Sequence, residues 1–534
     1  MAKITIKNLS KSFKERTIFE NVSFEISDNN KIGLIGDNGI GKSTLKNILI
    51  KEQPYDEGSI NYFPDNLLIG VIDENLYKSD EVLSGGEATK KAILKVLHGN
   101  YDIFILDEPT NHLDLSGVQW LEKLINSINR PMIIISHDRF FLDQVTNKTY
   151  VLTENNLKQY NGNYSSYRDQ VELEITTTDN LYNKQQREIK ELEQNIRQRK
   201  EWFNKAHKAA GQNDHLRALS KKHVSIMRSK EKKLEKIKEN QVKRIEESQS
   251  INLKLKESSS FKTAVRVTNL SKAFDNKVLF TQGNFTISGG ERVGIIGNNG
   301  TGKTTLINMI LGKDECYEGD IYINPNMKIS NFSQCLEALS KDISIMEYLL
   351  ETKAPEYTIR LYLGSVFIKG DRVYSKIGNL SMGEKCRVVF TKIILDNPDL
   401  IILDEPTNYM DIKSRERVED LLQGFNGTVL VVSHDRKLIT KVCRRVLKLD
   451  NKKIIDFSGD EEDITNFFND NNKNLKSDKD LKVKKDELLL MQCRLSELSG
   501  ILNTSLSEED KTTYEKEFLL LSREIRNLKS NSIP

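Results

Sequence analysis

Two stretches of the chain, GDNGIGKS at residues 36–43 and GNNGTGKT at 297–304, fit the spacing GxxxxGK[ST]. Each follows a short apolar run, KIGLIG or RVGIIG, and opens a helix-like stretch, so a strand, a glycine-rich turn and a helix come in that order. Glycines at such a turn let backbone N–H groups approach a phosphate, and the helix N-terminus adds a favourable partial charge. The chemistry predicted is binding of a nucleoside triphosphate. Gly36, Asn38, Gly39, Gly41 and Thr44 form one cradle, and Gly297, Asn299, Gly300, Gly302 and Thr305 the other. Lys42 and Lys303 would neutralise the β- and γ-phosphates, while the hydroxyls of Ser43 and Thr304 would be offered to Mg²⁺.

A second constellation is an apolar strand ending in two carboxylates, DIFILDE and DLIILDE. Uninterrupted apolar residues suit a parallel strand buried on both faces that delivers its acids at the C-terminal end. Asp107 and Asp404 suit Mg²⁺ coordination through water. Glu108 and Glu405, one residue on, would accept a proton from attacking water. A pair of helix-capping acids is the plainer alternative. His137 and His434 follow the apolar runs MIIIS and VLVVS, where a histidine could sense a γ-phosphate; a lone histidine at a strand end is more often structural.

These motifs sit in an internal repeat. LSKSFKERTIF at 9–19 returns as LSKAFDNKVLF at 270–280, and ILDEPTNHLD at 105–114 as ILDEPTNYMD at 402–411. The second copy is longer just before LSMGE (380–384), where residues 337–379 carry helix-like runs such as DISIMEYLLE. The organisation expected is a domain over 1–170, a helical linker over 171–260, a second domain over 261–470 and a helical tail over 471–534. In the tail, Leu488, Met491, Leu495, Leu498 and Leu502, then Tyr514, Phe518, Leu521, Ile525 and Leu528 after a Ser507 cap, predict a helical hairpin. The 534 residues allow several domains, and five cysteines without metal-ligand spacing suit a reducing cytosol, so a cytoplasmic location is expected. No apolar run is long enough to span a membrane, and the N-terminus lacks a signal-peptide core.

The 80 Lys+Arg and 77 Asp+Glu nearly cancel to a net +3, but they are segregated. Residues 184–244 hold 19 basic and 8 acidic residues, a net +11. Ile189, Leu192, Ile196 and Phe203, and then Met227, Leu234, Ile237 and Ile245, make two seams for an antiparallel helical hairpin. A helix of about 35 residues reaches about 50 Å. Such a basic rod suits RNA phosphates, with Trp202, Phe203, Gln212, Asn213, His215, Leu216 and Arg217 near its tip for stacking or edge contacts; a solvated coiled-coil spacer is the plainer reading.

The order of these motifs resembles the ATP-binding cassette family over both copies. The resemblance implies an α/β fold of two P-loop cassette domains joined by a long α-helical hairpin linker, with a C-terminal helical hairpin extension, and an ATPase using ATP and Mg²⁺. LSGGE and LSMGE resemble the family's signature loop, which implies that Ser84, Gly85 and Gly86, and Ser381 and Gly383, complete the ATP site of the opposite domain. Phe13 and Phe274 match its adenine-stacking aromatic, although a core-packing phenylalanine fits the spacing equally well. Gln334 matches the glutamine that helps hold Mg²⁺, whereas the first copy has Glu74 there, and Met382 replaces a signature glycine. Cross-assembly would place Glu74 and Met382 together at the Lys42 site, so the two sites are expected to hydrolyse unequally.

Twin cassettes in one chain, DEPTNHLD, a tyrosine-rich YNGNYSSY at 160–167 and the charged linker look like the F subfamily, whose members act on ribosomes. The resemblance is to the type that protects bacterial ribosomes from lincosamide, pleuromutilin and streptogramin A antibiotics. It implies binding at the exit site, contact with large-subunit rRNA and peptidyl-tRNA, and a monomer whose two domains pair within the chain. A housekeeping factor for stalled ribosomes shares the same engine, and a transporter ATPase is disfavoured by the linker.

Overall fold

The computed structural model describes residues 2–14, 16–27, 30–73, 85–111, 113–209, 214–242, 262–274, 277–408, 410–470 and 522. They fall into two compact units, one formed by Met1–Gln159 with Ile251–Pro534 and the other by Tyr160–Ser250.

In the first repeat β1 (Lys3–Phe13), β2 (Arg16–Ser27) and β4 (Glu57–Phe63) form an antiparallel sheet of order β2-β1-β4. A six-stranded sheet, β5-β6-β7-β3-β8-β9, combines β3 (Lys31–Ile35), β5 (Ile69–Ile72), β6 (Ile103–Asp107), β7 (Met132–Ile135), β8 (Lys148–Leu152) and β9 (Leu157–Asn161). Its strands from β5 to β8 are parallel, and Ile103–Leu106 and all of β7 are buried, as continuous apolar strands require. Beside the strands run α1 (Lys42–Leu49), α2 (Gly85–Leu97), α3 (Leu115–Ser127) and α4 (Arg139–Val145). Asp114 caps α3 and Asp138 caps α4, each carboxylate accepting from a backbone N–H three residues on.

The Tyr160–Ser250 unit consists of α5 (Tyr164–Ala209) and α6 (Asp214–Glu239). It begins earlier than the expected boundary at 171. Asn163 starts the helix by accepting from Ser166 N–H at 3.0 Å, and the Tyr160, Tyr164 and Tyr167 rings pack edge-on around that turn. Ile189 and Leu192 are buried on the seam and Ile196, Phe203, Met227, Leu234 and Ile237 half-buried, as the apolar spacing requires. Lys233–Glu188 at 2.6 Å and Lys238–Glu193 at 2.8 Å tie α6 to α5.

The second repeat copies the first. β10 (Val265–Phe274), β11 (Lys277–Ile287) and β13 (Glu318–Ile323) pair in order β11-β10-β13. β12 (Arg292–Gly297), β14 (Ile329–Asn331), β15 (Leu400–Asp404), β16 (Thr428–Val432), β17 (Arg445–Asp450) and β18 (Lys453–Ser458) form β14-β15-β16-β12-β17-β18. Its helices are α7 (Lys303–Ile310), α8 (Phe332–Glu337), α9 (Ile345–Leu350), α10 (Glu356–Ser365), α11 (Met382–Asp396), α12 (Ile412–Gly424), α13 (Arg436–Val442) and α14 (Glu461–Asp470). The insertion before LSMGE folds as α9, α10 and two 3-10 turns over an apolar cluster of its own, which includes Ile345, Leu349, Ile359 and Leu363. Ser344 and Glu347 form a capping box that starts α9.

The repeats meet through reciprocal pairs. Arg139 of α4 holds Glu419 of α12, and Arg436 of α13 holds Glu122 of α3, the same two positions exchanged. This is the self-complementary pattern of a two-fold interface within one chain. Glu419 is 0 % and Arg139 6 % exposed, and the pair is flanked by Glu416, 3.7 Å from Arg139, and Lys441, 3.4 Å from Glu419.

Candidate nucleotide sites

The second site is a cavity of about 450 Å³ around the loop after β12. Gly302 precedes α7 with φ 98°, and a Cβ there would meet the Leu279 side chain at 2.9 Å, so glycine is needed for the turn. Lys303 Nζ donates to the Gly297 and Asn298 carbonyls at 2.8 and 3.1 Å, and burial pulls its pKa down. Thr304 Oγ1 donates to Asp404 Oδ2 at 3.0 Å, joining the two groups expected to face a metal. Burial raises the Asp404 pKa, against the Thr304 bond and the charge of Lys303.

Glu405 follows β15 with φ 46°, a left-handed conformation that turns its side chain off the strand direction. Its N–H is anchored by Val432 O at 2.9 Å. Burial pushes its carboxyl up to about 7, and Oε1 is buried with no hydrogen-bond partner among the described residues. His434 Nε2 lies 3.6 Å from that oxygen, too far for a hydrogen bond, and burial lowers the imidazole to about 4. A carboxylate near neutrality beside a neutral imidazole is a base poised to take a proton from water.

The first site, a cavity of about 460 Å³, repeats most of this. Lys42 Nζ donates to the Gly36 and Asp37 carbonyls at 2.7 and 3.1 Å. Glu108 has φ 48° and a carboxyl raised by burial to about 7, and His137, 3.7 Å away, is lowered by burial to about 3. The metal position differs. Lys46 Nζ stands 2.9 Å from Asp107 Oδ2 and 3.2 Å from Asp73 Oδ2, inside the same cavity wall as Lys42 and Ser43. The donor set at Thr304 and Asp404 fits a divalent cation; at Asp107 an ammonium already occupies the carboxylate. Sequence reading missed Lys46, although GKSTLK against GKTTLI shows a lysine where the other repeat has Ile307.

Several expected site residues stand elsewhere. Gln334 is exposed on α8 and lines a separate cavity with Tyr348 and Lys392, because Asn331 caps that helix and coils the chain immediately after β14. Ser381 caps α11, Met382 is 45 % exposed, and neither Ser381 nor Gly383 lines the two P-loop cavities. The opposite repeat reaches each P-loop by the segment after its paired carboxylates. Asp114 Oδ2 accepts from Asn299 N–H at 3.2 Å, and Lys413 Nζ lies 2.9 Å from Asp37. The reason is local: Asp114 and Asp411 cap α3 and α12, which starts those helices at the interface between the repeats. Phe13 and Phe274 are about half exposed, with Lys11 and Lys272 Nζ 5.5 and 4.5 Å from their ring centres, and they are not core residues. Gly85 and Gly86 open α2, and His215, Leu216 and Arg217 lie in α6. Glu74, Ser84, Gln212, Asn213, Ile245 and, apart from residue 522, both tail helices fall outside the described residues.

Comparison with known proteins agrees with this architecture. A family described as ABC transporter matches residues 19–68 and 280–408, and a second of the same description matches 150–255. The chain is 32% identical over 479 residues to the ribosome protection protein VmlR of Bacillus subtilis, covering 84% of this chain and 87% of that one. It is 28% identical to the ATP-binding protein Uup of Buchnera aphidicola, over 83% of this chain and 80% of that one. Among solved structures, an archaeal ribosome recycling factor complexed with a ribosomal stalk protein superposes with TM-score 0.56 at 18% identity, covering 84% of this chain and 90% of that one. No described helix is long and apolar enough to cross a membrane. With paired P-loops, buried glutamates beside them and this degree of identity along most of its length, the chain belongs to the ABC-F family of ATP-binding cassette ATPases.

Proposed function

We propose that the protein is an ATP-dependent ribosome-binding factor that protects bacterial ribosomes from peptidyl-transferase-centre antibiotics of the lincosamide, pleuromutilin and streptogramin A classes. The observation that carries this reading is the 32% identity to a ribosome protection protein over 84% of the chain. The basic linker supports it, since its net +11 offers phosphate contacts that an ATPase engine does not need.

In this reading each P-loop cradles the phosphates of one ATP, Lys42 and Lys303 leaving their own carbonyls to meet them, and the signature residues Ser84, Gly85, Gly86, Ser381 and Gly383 approach only when the repeats close. Phe13 and Phe274 offer exposed π faces to the adenine. Mg²⁺ would neutralise charge developing on the phosphates, and Thr304 and Asp404 would hold it at the second site. Glu108 and Glu405 take the proton of attacking water, while His137 and His434 stay neutral and face the γ-phosphate. Closure places the domains at the exit site and drives the linker tip, with Trp202, Phe203, Gln212, Asn213, His215, Leu216 and Arg217, toward rRNA, the peptidyl-tRNA end and the drug pocket. Hydrolysis releases the factor. The protein acts as a monomer in the cytoplasm.

The test is expression in a drug-sensitive bacterium challenged with a panel of peptidyl-transferase inhibitors. Protection that needs Lys42 or Lys303 is expected. Ribosome co-sedimentation of a Glu108→Gln, Glu405→Gln double variant with no protection against any drug would instead select the housekeeping role in relieving stalled ribosomes.

A further inference from the structure

The two cavities carry the same phosphate loop and the same buried glutamate, yet the group facing the metal-binding carboxylate differs in kind. At the second site Asp404 accepts from the neutral hydroxyl of Thr304, and the position corresponding to Lys46 is the buried apolar Ile307. At the first, Lys46 is 8 % exposed and its ammonium sits between Asp107 and Asp73, 2.9 and 3.2 Å away. Strand register makes the comparison sound: Ile69 of β5 pairs with Ile103, Ile329 of β14 pairs with Leu400, and these are matching strands of the repeat, so Asp73 corresponds to Ser333. The first site has therefore gained a cation and, beside it, an anion that holds the cation in place.

Burial alone would lower the Lys46 pKa, but its hydrogen bonds and charge contacts with Asp107 and Asp73 outweigh that and raise it, so the ammonium keeps its charge. A divalent ion approaching Asp107 must displace that ammonium or bear its repulsion at close range. Lys42 remains in the phosphate loop on the Gly36 and Asp37 carbonyls, while the charge of Lys413 from the opposite repeat is met by Asp37 at 2.9 Å. The positive charge beside the metal-facing carboxylate is thus supplied at the first site by a side chain, Lys46.

We infer that Lys46 is a built-in counter-cation that stands in for the divalent ion at the first site, so that this site holds ATP with little dependence on Mg²⁺ while the second site requires it. The inference rests on the reading that both cavities bind nucleotide, and it gives the expected inequality of the two sites a cause within the described residues.

The experiment uses the full chain carrying Glu108→Gln and Glu405→Gln, so that bound ATP is not consumed. Bound ATP is counted, and Mn²⁺ is titrated in and followed by its electron paramagnetic resonance signal. Two ATP per chain are expected, with one tightly held Mn²⁺ and a second weaker by at least about tenfold, the scale of one unit charge at contact distance in a partly buried site. Lys46→Ile, which installs the residue of the other repeat, is expected to raise the tight Mn²⁺ count to two. Lys46→Gln, which keeps the length and polarity, should do the same if charge is the cause. Two ATP with two equally tight Mn²⁺ before any substitution, or a count unmoved by both Lys46 variants, overturns the inference alone. Fewer than two ATP in the unsubstituted background overturns the two-nucleotide reading and the inference with it.

Discussion

At the end of β6 a carboxylate meets a lysine; at the end of β15 the matching carboxylate meets a threonine. Around that difference nearly everything else is shared: the left-handed glutamate, its elevated carboxyl, the lysine folded back on its own loop and the histidine held neutral by burial. The interface adds a second difference of the same sign. Lys413 and Arg415 of α12 correspond to Ser116 and Val118 of α3, and the charge of Arg415 is felt at Glu108 as a pull against the burial that raises its carboxyl. Duplicated folds can keep a common skeleton while a few side chains specialise the copies, because a surface or cavity charge costs little in the core that both copies need to fold.

The largest expected effect tests whether the two glutamates do equal work. Single-turnover ATP hydrolysis should fall by about 10²–10⁴-fold when a catalytic base is lost. We expect Glu405→Gln to remove most of the chain's turnover and Glu108→Gln to remove less; equal residual rates would erase the distinction between the sites.

The interface offers a control in which the copies should behave alike. Arg139→Ala leaves the buried Glu419 with Lys441, 3.4 Å away, and Arg436→Ala takes the guanidinium from Glu122, so each should lower unfolding stability by about 3 kcal/mol. Chemical denaturation of both variants checks this. A much smaller loss for Arg436→Ala would show that the reciprocal geometry conceals unequal energetics, since Glu122 is the less buried acid.

A smaller effect concerns pH. Glu405 rests at about 7, above its ordinary 4.5, and only its ionised form can accept a proton. Turnover should rise with pH up to about 7 and level off above it, by about tenfold per unit on the acid side. The linkage has the opposite sign for folding: the native state holds this proton more firmly than the unfolded chain, so this group's contribution to stability falls as pH rises from 4.5 toward 7. A pH–rate profile of the Glu108→Gln variant isolates the second site, and a flat profile between pH 5 and 8 would contradict the role given to Glu405.

The smallest effect lies where one repeat touches the loop of the other. Asp114→Ala removes the cap on α3 and the bond from Asn299 N–H, and should cost about 1 kcal/mol of stability while weakening ATP at the second site more than at the first. Equal weakening at both would show that the contact is not specific to that loop.

Much of this molecule is legible in its sequence. The strand–turn–helix setting of both P-loops, the buried strands that end in Asp-Glu and the linker seam through Ile189 and Leu192 follow from periodicity and glycine placement, which are local properties of the chain. The linker boundary expected at 171 lies inside the helix that starts at Tyr164, because Asn163 caps that helix within an aromatic turn that also reads as a domain end. Which segments face a P-loop across the repeat depended on tertiary structure, since Asp114 and Asn299 are joined by the docking of two domains and by no sequence spacing. The same holds for Lys46. A lysine four residues after Lys42 reads as one more helix-surface charge, and only the folded sheet, by bringing the ends of β5 and β6 beside α1, places Asp73 and Asp107 on either side of it. Composition and period decide which elements form; long-range packing decides which charges meet, and at the first site that meeting sets the chemistry.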